Sequence, residues 1–393
     1  MTAKITPAAA DAQVSPLPGA SGIPPAQWDG LARRGFHLHD WFLPAERSGW
    51  RPRHVALSEM DELRAVVPAY LTGRDSLHDL HDRWLGPIGD IATLSGVHLR
   101  PMISVQTPLA MVSEPMGVPE AMSHRALHQI FEALEERAEA DGAKGVVWPC
   151  VDAGTRTLLQ VGKERGYAAE YAGTSARLTV EWGSFEDYLA SRSKNVRRTV
   201  KADLGALRSA GLRMEVTSDF RHAVPAMAAL QCEAYRRRNQ RESPVQESFF
   251  HQLSLNPSAR IRAQLTWSGE RLVGASLNLM TPEVLEGTLG AFAPEHRRGP
   301  AYHNDLCYEP IRMACREGIA AIDLGATALY SKVLRGAVLR PRFTLIRGTT
   351  RARHLLLSSL ARLVAWRTEW KEQRSLGPFW HPGLRGSFAS CSP

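Results

Sequence analysis

Residues 261–280, "IRAQLTWSGERLVGASLNLM", read as a strand, a tight turn at Ser268-Gly269 and a second strand. The same order occurs near the start of the chain, where "RHVALSEMDELRAVVPAYL", residues 53–71, is again strand, polar turn, strand. The elements after the two hairpins also match. After the first comes a helix within "AMSHRALHQIFEALEERAEADGAKGVVWP", where Leu127, Ile130, Phe131 and Leu134 recur at helical spacing and Gly142 ends the run. A short strand "GVVW", a second helix and the stretch "KERGYAAEYAGTSARLTV" complete that half. After the second hairpin come a helix "YHNDLCYEPIRMACREG", a strand "IAAIDLG", a short helix around Tyr330 and the stretch "LRGAVLRPRFTLIRG". This duplication predicts an α/β (α+β) chain of two tandem units, each a mixed central sheet flanked by helices. The expected boundaries are a lead-in at 1–27, units at 28–182 and 183–350, a terminal helix at 351–375 and a tail at 376–393.

The totals allow this arrangement and exclude others. A chain of 393 residues has room for two cores of ordinary size. Apolar residues make up 44% and charged residues 22%, a usual balance for a globular protein. No apolar run approaches about 20 residues, so no membrane span is expected. The first 27 residues are rich in Ala, Pro, Ser and Gly and lack the apolar core of a signal peptide; a disordered lead-in and a cytoplasmic protein are expected. The five cysteines form no C-x-x-C pair, which argues against a disulfide framework or a zinc site of that kind, and no metal or cofactor is expected. There is no G-x-x-x-x-G-K-[ST] loop and no G-x-S-x-G elbow. Cys307 sits on the apolar side of a helix, where a buried structural thiol is the default.

The net charge is +8, and part of it is concentrated. In "FEDYLASRSKNVRRTVKADLGALRSAG", Val196, Val200, Leu204 and Leu207 share one helical face, while Lys194, Arg198, Lys201 and Arg208 mark another. Every formal charge from Arg192 to Lys201 is positive, with no acid to pair at i,i+4. A solvated outer face and a polyanion-binding stripe are the two readings. On the second, Lys194, Arg197, Arg198 and Lys201 would contact nucleic-acid phosphates, giving affinity without sequence readout.

The stretches "AVVPAYL", "SRSKNVRRTVKADL", "YHNDLCYEPIRMACREGI" and "DLGATALYSKVLRG", the last with Gly-x(6)-Lys-x(3)-Gly spacing, resemble the FemAB-like, peptidoglycan biosynthesis/recognition group of the GNAT acyltransferase superfamily, over about residues 30–350. The resemblance implies two tandem GNAT-like domains and an aminoacyl-tRNA-dependent transferase. The donor would be aminoacyl-tRNA and the acceptor an amine on a peptidoglycan precursor or a specialised-metabolite (antibiotic) intermediate. Lys332 matches the family's lysine near the acyl-transfer site, with Ser331 where the family has an aromatic residue. GNAT enzymes that use acetyl-CoA hold its pyrophosphate on a glycine-rich turn. The corresponding 296–301 stretch here has one glycine and a proline, Pro300, that lacks an N–H. A CoA-dependent N-acyltransferase is therefore the first rival, and a binding module that kept the fold without chemistry is the second.

Acyl transfer from an ester to an amine requires a stabilised oxyanion, a positioned carbonyl and a neutral amine. Lys332 is the candidate for the electrostatic role. Asp323, at a strand end, would orient the acceptor amine, pair with Lys332 or cap the next turn. His303 is the candidate general base. Tyr302, Asn304, Tyr330 and Gly325 are expected to line the substrate cleft.

Overall fold

The computed structural model describes residues 12–60, 62–73, 98–117, 122–239, 242–243, 245–297 and 299–381. The first half contains strands β1 (Gln13–Leu17), β2 (His54–Glu59), β3 (Glu62–Val67), β4 (Ala69–Thr72), β5 (Met102–Val105), β6 (Gly145–Asp152) and β7 (Ala168–Thr179). Its helices are α1 (Pro25–Gly30), α2 (His39–Arg47), α3 (His124–Ala140) and α4 (Arg156–Glu164). The second half contains β8 (Leu212–Thr217), β9 (Ile261–Ser268), β10 (Arg271–Met280), β11 (Leu285–Phe292), β12 (Ala321–Asp323) and β13 (Val338–Gly348). Its helices are α5 (Phe185–Ala190), α6 (Lys194–Ser209), α7 (Val224–Asn239), α8 (Glu247–Ser254), α9 (Pro300–His303), α10 (Glu309–Glu317), α11 (Leu329–Leu334) and α12 (Arg351–Leu376). A π-helical turn, Asn304–Tyr308, joins α9 to α10.

Both hairpins form, but they end up in different sheets. β9 and β10 lie in a ten-stranded mixed sheet of order β4-β5-β6-β13-β7-β12-β11-β10-β9-β8. β2 pairs with β1 on one side and β3 on the other in a separate three-stranded sheet. The break comes at Pro68, between β3 and β4; proline has no N–H to continue a ladder. β1 shows that the expected disordered lead-in is ordered from residue 12 onward, because Gln13–Leu17 pairs along its whole length with β2. Residues 1–11 of that lead-in and 382–393 of the tail lie outside the described residues.

The two halves exchange parts. In sequence β13 belongs to the second half, yet it lies between β6 and β7 of the first and is antiparallel to both. β6 and β7 are thus parallel strands linked by α4, with a gap between them that only the chain's last strand fills. In return, residues 28–50 of the first half pack into the second. Trp28, Phe36, Trp41 and Phe42 share one buried cluster with Phe249, Leu265, Leu277 and Leu279. Gly35 is required at that crossing, since a Cβ there would collide with both the side chain and the backbone of Leu279.

This interleaving predicts a single cooperative unfolding unit. Leu345 on β13 is fully buried in the first half's core, and Leu345→Ala should cost about 2–5 kcal/mol. Urea unfolding followed by tryptophan fluorescence and by far-UV circular dichroism should shift in one coincident transition. Two separated transitions, with only one displaced, would contradict it.

Candidate active site

The register of the central strands collects charged side chains on one face of the sheet. Residues directly opposite in a ladder point the same way, as do residues i and i+2 in one strand. Arg342 on β13 faces Asp152 on β6 and Gly173 on β7; Arg340 faces Ser175; Arg177 faces Asp323 on β12; and Asp323 lies beside Glu286 on β11. The middle of a sheet normally carries an apolar face, so this row of ions marks a candidate site.

Arg34, from the exchanged N-terminal segment, lies across the row. Its Nη1 reaches Glu286 Oε1 at 2.5 Å and Asp323 Oδ2 at 3.5 Å, and its Nε reaches Glu114 Oε1 at 2.6 Å. The Phe36 N–H donates to the other oxygen of Glu286 at 3.1 Å. Arg342 donates to Ser175 Oγ at 3.0 Å and to Asp323 Oδ2 at 3.4 Å, and its Nη1 forms an ion pair with Asp152 Oδ2 at 3.1 Å. Burial would strip Arg34 of its proton, but Glu114, Glu286 and Asp323 outweigh it and hold the guanidinium charged. Burial likewise opposes the charge on Asp323, yet Arg342, Arg34 and the Gly325 N–H keep its carboxyl below the usual range. Glu286 goes the other way, because burial and the neighbouring Asp323 push its carboxyl up despite Arg34.

Lys332 completes this cluster. After β12 the chain turns at Gly325, whose φ of 73° is left-handed, and enters α11 through Ala328, also left-handed at 51°. A non-glycine residue there is strained, as is common at functional sites. The turn folds Lys332 back over the strand end, where Nζ donates to the Leu324 carbonyl and, at 3.4 Å, to that of Gly325. The spacing between Gly325 and Lys332 is the length of that loop. The side chain is only 2% exposed, and burial lowers its amine from 10.5 to about 8, against the pull of Cys307 and Asp323.

Lys332, Asp323, Gly325 and Tyr302 line a cavity of about 200 Å³ between the halves. Its other walls include Phe36, Leu109 and Ser175 from the first half, and Tyr235, Arg238, Glu286 and Thr288 from the second. Beyond Arg34 lies a second cavity of about 390 Å³, lined by Arg33, Arg34, His37, Asp152, Arg177 and Arg340 among others. Arg177 and Arg340 make no ion pair among the described residues.

The remaining expected site residues lie elsewhere. His303 does not reach the cavity; its Nδ1 meets Asp203 Oδ2 at 3.1 Å, and burial together with Arg335 lowers its pKa despite that carboxylate. Asn304 is buried, donating to Met214 and Asp305 and accepting from Arg312 at 3.2 Å. Tyr330 is exposed and borders a shallow groove against α12. On α6, Lys194, Arg198 and Lys201 are exposed and form one stripe, whereas Arg197 is engaged internally, donating to the Arg192 carbonyl at 2.6 Å. Cys307 is buried, and burial pushes its thiol up, so it is not poised as a nucleophile.

Sequence reasoning missed Arg34, Glu286, Arg342 and Asp203. Arg340 and Arg342 had a readable signal, alternate arginines within a strand-like stretch. Asp203 is the lone acid among the basic residues of α6, and its Oδ2 accepts from Tyr308 at 2.6 Å and meets His303 and Arg335. It ties the basic helix to α9, to the π turn and to the end of α11.

A family model for FemAB-like proteins, described as peptidoglycan biosynthesis/recognition, matches residues 19–350. The chain belongs to the FemAB-like family. It is an acyltransferase with the tandem GNAT fold. Among solved structures it is similar to FemX, at 13% identity and a TM-score of 0.54, with 82% of this chain and 96% of that one covered. It is also similar to the C-terminal domain of a putative lysylphosphatidylglycerol synthetase from Agrobacterium fabrum, at 13% identity and a TM-score of 0.53, covering 84% and 94%. A tandem GNAT protein from the clavulanic acid biosynthesis pathway aligns at 11% identity and a TM-score of 0.50, covering 86% and 99%. At such identities the likeness is one of fold. No curated protein matches. Among the described residues no helix is long and apolar enough to cross a membrane.

The shifted lysine makes a prediction for this FemAB-like protein. Between about pH 8 and 10.5 the unfolded chain keeps the Lys332 proton while the folded chain releases it, so this group makes stability rise with pH across that window. Lys332→Met should remove that increment from a series of urea midpoints. Parallel wild-type and variant curves would mean that the amine is solvated.

Proposed function

We propose that this protein transfers an aminoacyl group from aminoacyl-tRNA to an amine on a peptidoglycan precursor or a comparable biosynthetic intermediate, and that Lys332 is the residue that meets the oxyanion. The observation that carries the reading is a buried ammonium group in a cavity between the halves. About 200 Å³ suits an amino-acid-sized group and is too small for a nucleotide, so the cavity would take the acyl end while the tRNA stays outside.

The charges on the walls suggest the chemistry. The acceptor nitrogen attacks the ester carbonyl; its C–N bond forms, the ester C–O bond breaks, and the proton shed by the amine ends on the departing 3′-oxygen of the tRNA. Asp323 and Glu286 make the anionic end of the cavity, which draws in an ammonium group. Glu286, with its raised pKa, is the better of the two to take a proton. Lys332, still mostly charged at neutral pH with a pKa of about 8, supplies a fixed cation where negative charge develops, an effect of roughly 10²–10³ in rate. His303 has no part in this scheme.

Two further features support the assignment of substrates. The stripe of Lys194, Arg198 and Lys201 is joined through Asp203 to the helices bordering the cavity, which suits a polyanionic donor. Arg177 and Arg340 in the second cavity suit an anionic group on the acceptor. The turn before α9 supports a CoA donor poorly, because Pro300 occupies the first helical position and offers no N–H to a pyrophosphate.

With radiolabelled aminoacyl-tRNAs and a cell extract as the acceptor source, transfer should be abolished by ribonuclease. Ribonuclease-resistant product formed from acetyl-CoA would overturn the donor assignment. Lys332→Met should slow single-turnover transfer by about 10²–10³ with aminoacyl-tRNA affinity unchanged. Replacing Lys194, Arg198 and Lys201 together by Ala should reduce the slope of log K against log salt for tRNA binding by about two to three. An unchanged slope would remove α6 from the donor site.

A further inference from the structure

The outer surface of the first half carries a group of side chains that the acyl-transfer reaction does not use. His124 is the first residue of α3 and His128 lies one turn on, so both rings project from the same face of the helix. Their centroids are 4.9 Å apart. Glu164, the last residue of α4, faces them with a single oxygen, Oε2, which lies 2.9 Å from His124 Nε2 and 3.2 Å from His128 Nε2. Its other oxygen accepts from Gln160 Nε2 at 2.9 Å, which fixes the carboxylate plane. The donor atoms of all three residues lie within 4.8 Å of one another.

We propose that His124, His128 and Glu164 bind a divalent transition-metal ion, zinc by preference, which clips the start of α3 to the end of α4. The distances from Glu164 Oε2 to the two Nε2 atoms are close to those of a ligand shell: metal–ligand bonds of about 2.0–2.1 Å in a tetrahedron place neighbouring ligand atoms about 3.3 Å apart. Both imidazole Nε2 atoms converge on one oxygen of Glu164, which brings two nitrogen ligands and one oxygen ligand together. Two imidazoles with one carboxylate select zinc, nickel or copper over magnesium and calcium, which take oxygen ligands. The three side chains are 49%, 35% and 38% exposed, leaving the fourth position open to water. None of them lines either cavity, so the ion would have no part in the acyl transfer. Gln160 plays the supporting part, holding the ligating carboxylate in its orientation.

Calorimetric titration of tag-free, chelator-treated protein with zinc chloride should saturate at one ion per chain and raise the melting temperature, while magnesium chloride should do neither. His124→Ala, His128→Ala and Glu164→Gln should each weaken zinc binding by at least about tenfold, and Gln160→Ala by about tenfold. Cobalt(II) should give visible absorption bands of a tetrahedral site, absent in the His124→Ala/His128→Ala double variant. No saturable zinc binding, or unchanged binding by that double variant, overturns the site.

Discussion

The contact between Arg34 and Glu286 is the constraint on which the charged face of the candidate site depends. Three carboxylates (Glu114, Glu286 and Asp323) and two guanidinium groups (Arg34 and Arg342) meet where the sheet is buried. Taking such ions out of water costs several kcal/mol each, and only mutual pairing and hydrogen bonding offset it. Removing Arg34 would leave Glu286 with a single N–H, from Phe36, and no countercharge in direct contact among the described residues. The cluster is thus poor at stabilising the fold and good at specifying one arrangement, because any other docking of the N-terminal segment leaves buried charge unmatched.

That specificity places the lysine. Asp323 is held by Arg34, Arg342 and the Gly325 N–H, so the strand end and the left-handed turn after it have one geometry. Lys332 closes back onto the carbonyls exposed there. This buried ammonium donates to neutral carbonyls and makes no direct ion pair among the described residues, so its charge stands unneutralised at the cavity wall. Asp203 extends the same logic outward, linking a solvent-facing basic helix to the elements around the cavity.

The exchange of segments between the halves interlocks the duplicated units. β13 completes the first half's sheet, and residues 28–50 complete the second half's core. Each cavity therefore has walls from both halves, and neither half could form its site alone. The clip at His124, His128 and Glu164 lies outside this interlock and acts on the helices flanking β6.

Local patterns in the sequence determined the hairpins at 53–71 and 261–280, the helix of Leu127 to Leu134, the basic stripe on α6, and Lys332 after a glycine turn. These are set by neighbours within a few residues, through periodicity and turn chemistry, and each is legible without knowing the fold. Tertiary structure decided what the strands were next to. Arg34 and Glu286 are 252 positions apart and meet only because an N-terminal segment crosses to the other half. His303 turned from a candidate base into a partner of Asp203 for the same reason. A side chain's chemistry is written in its residue type, but its charge state and its partner depend on burial and on contacts between distant strands, which no local window contains.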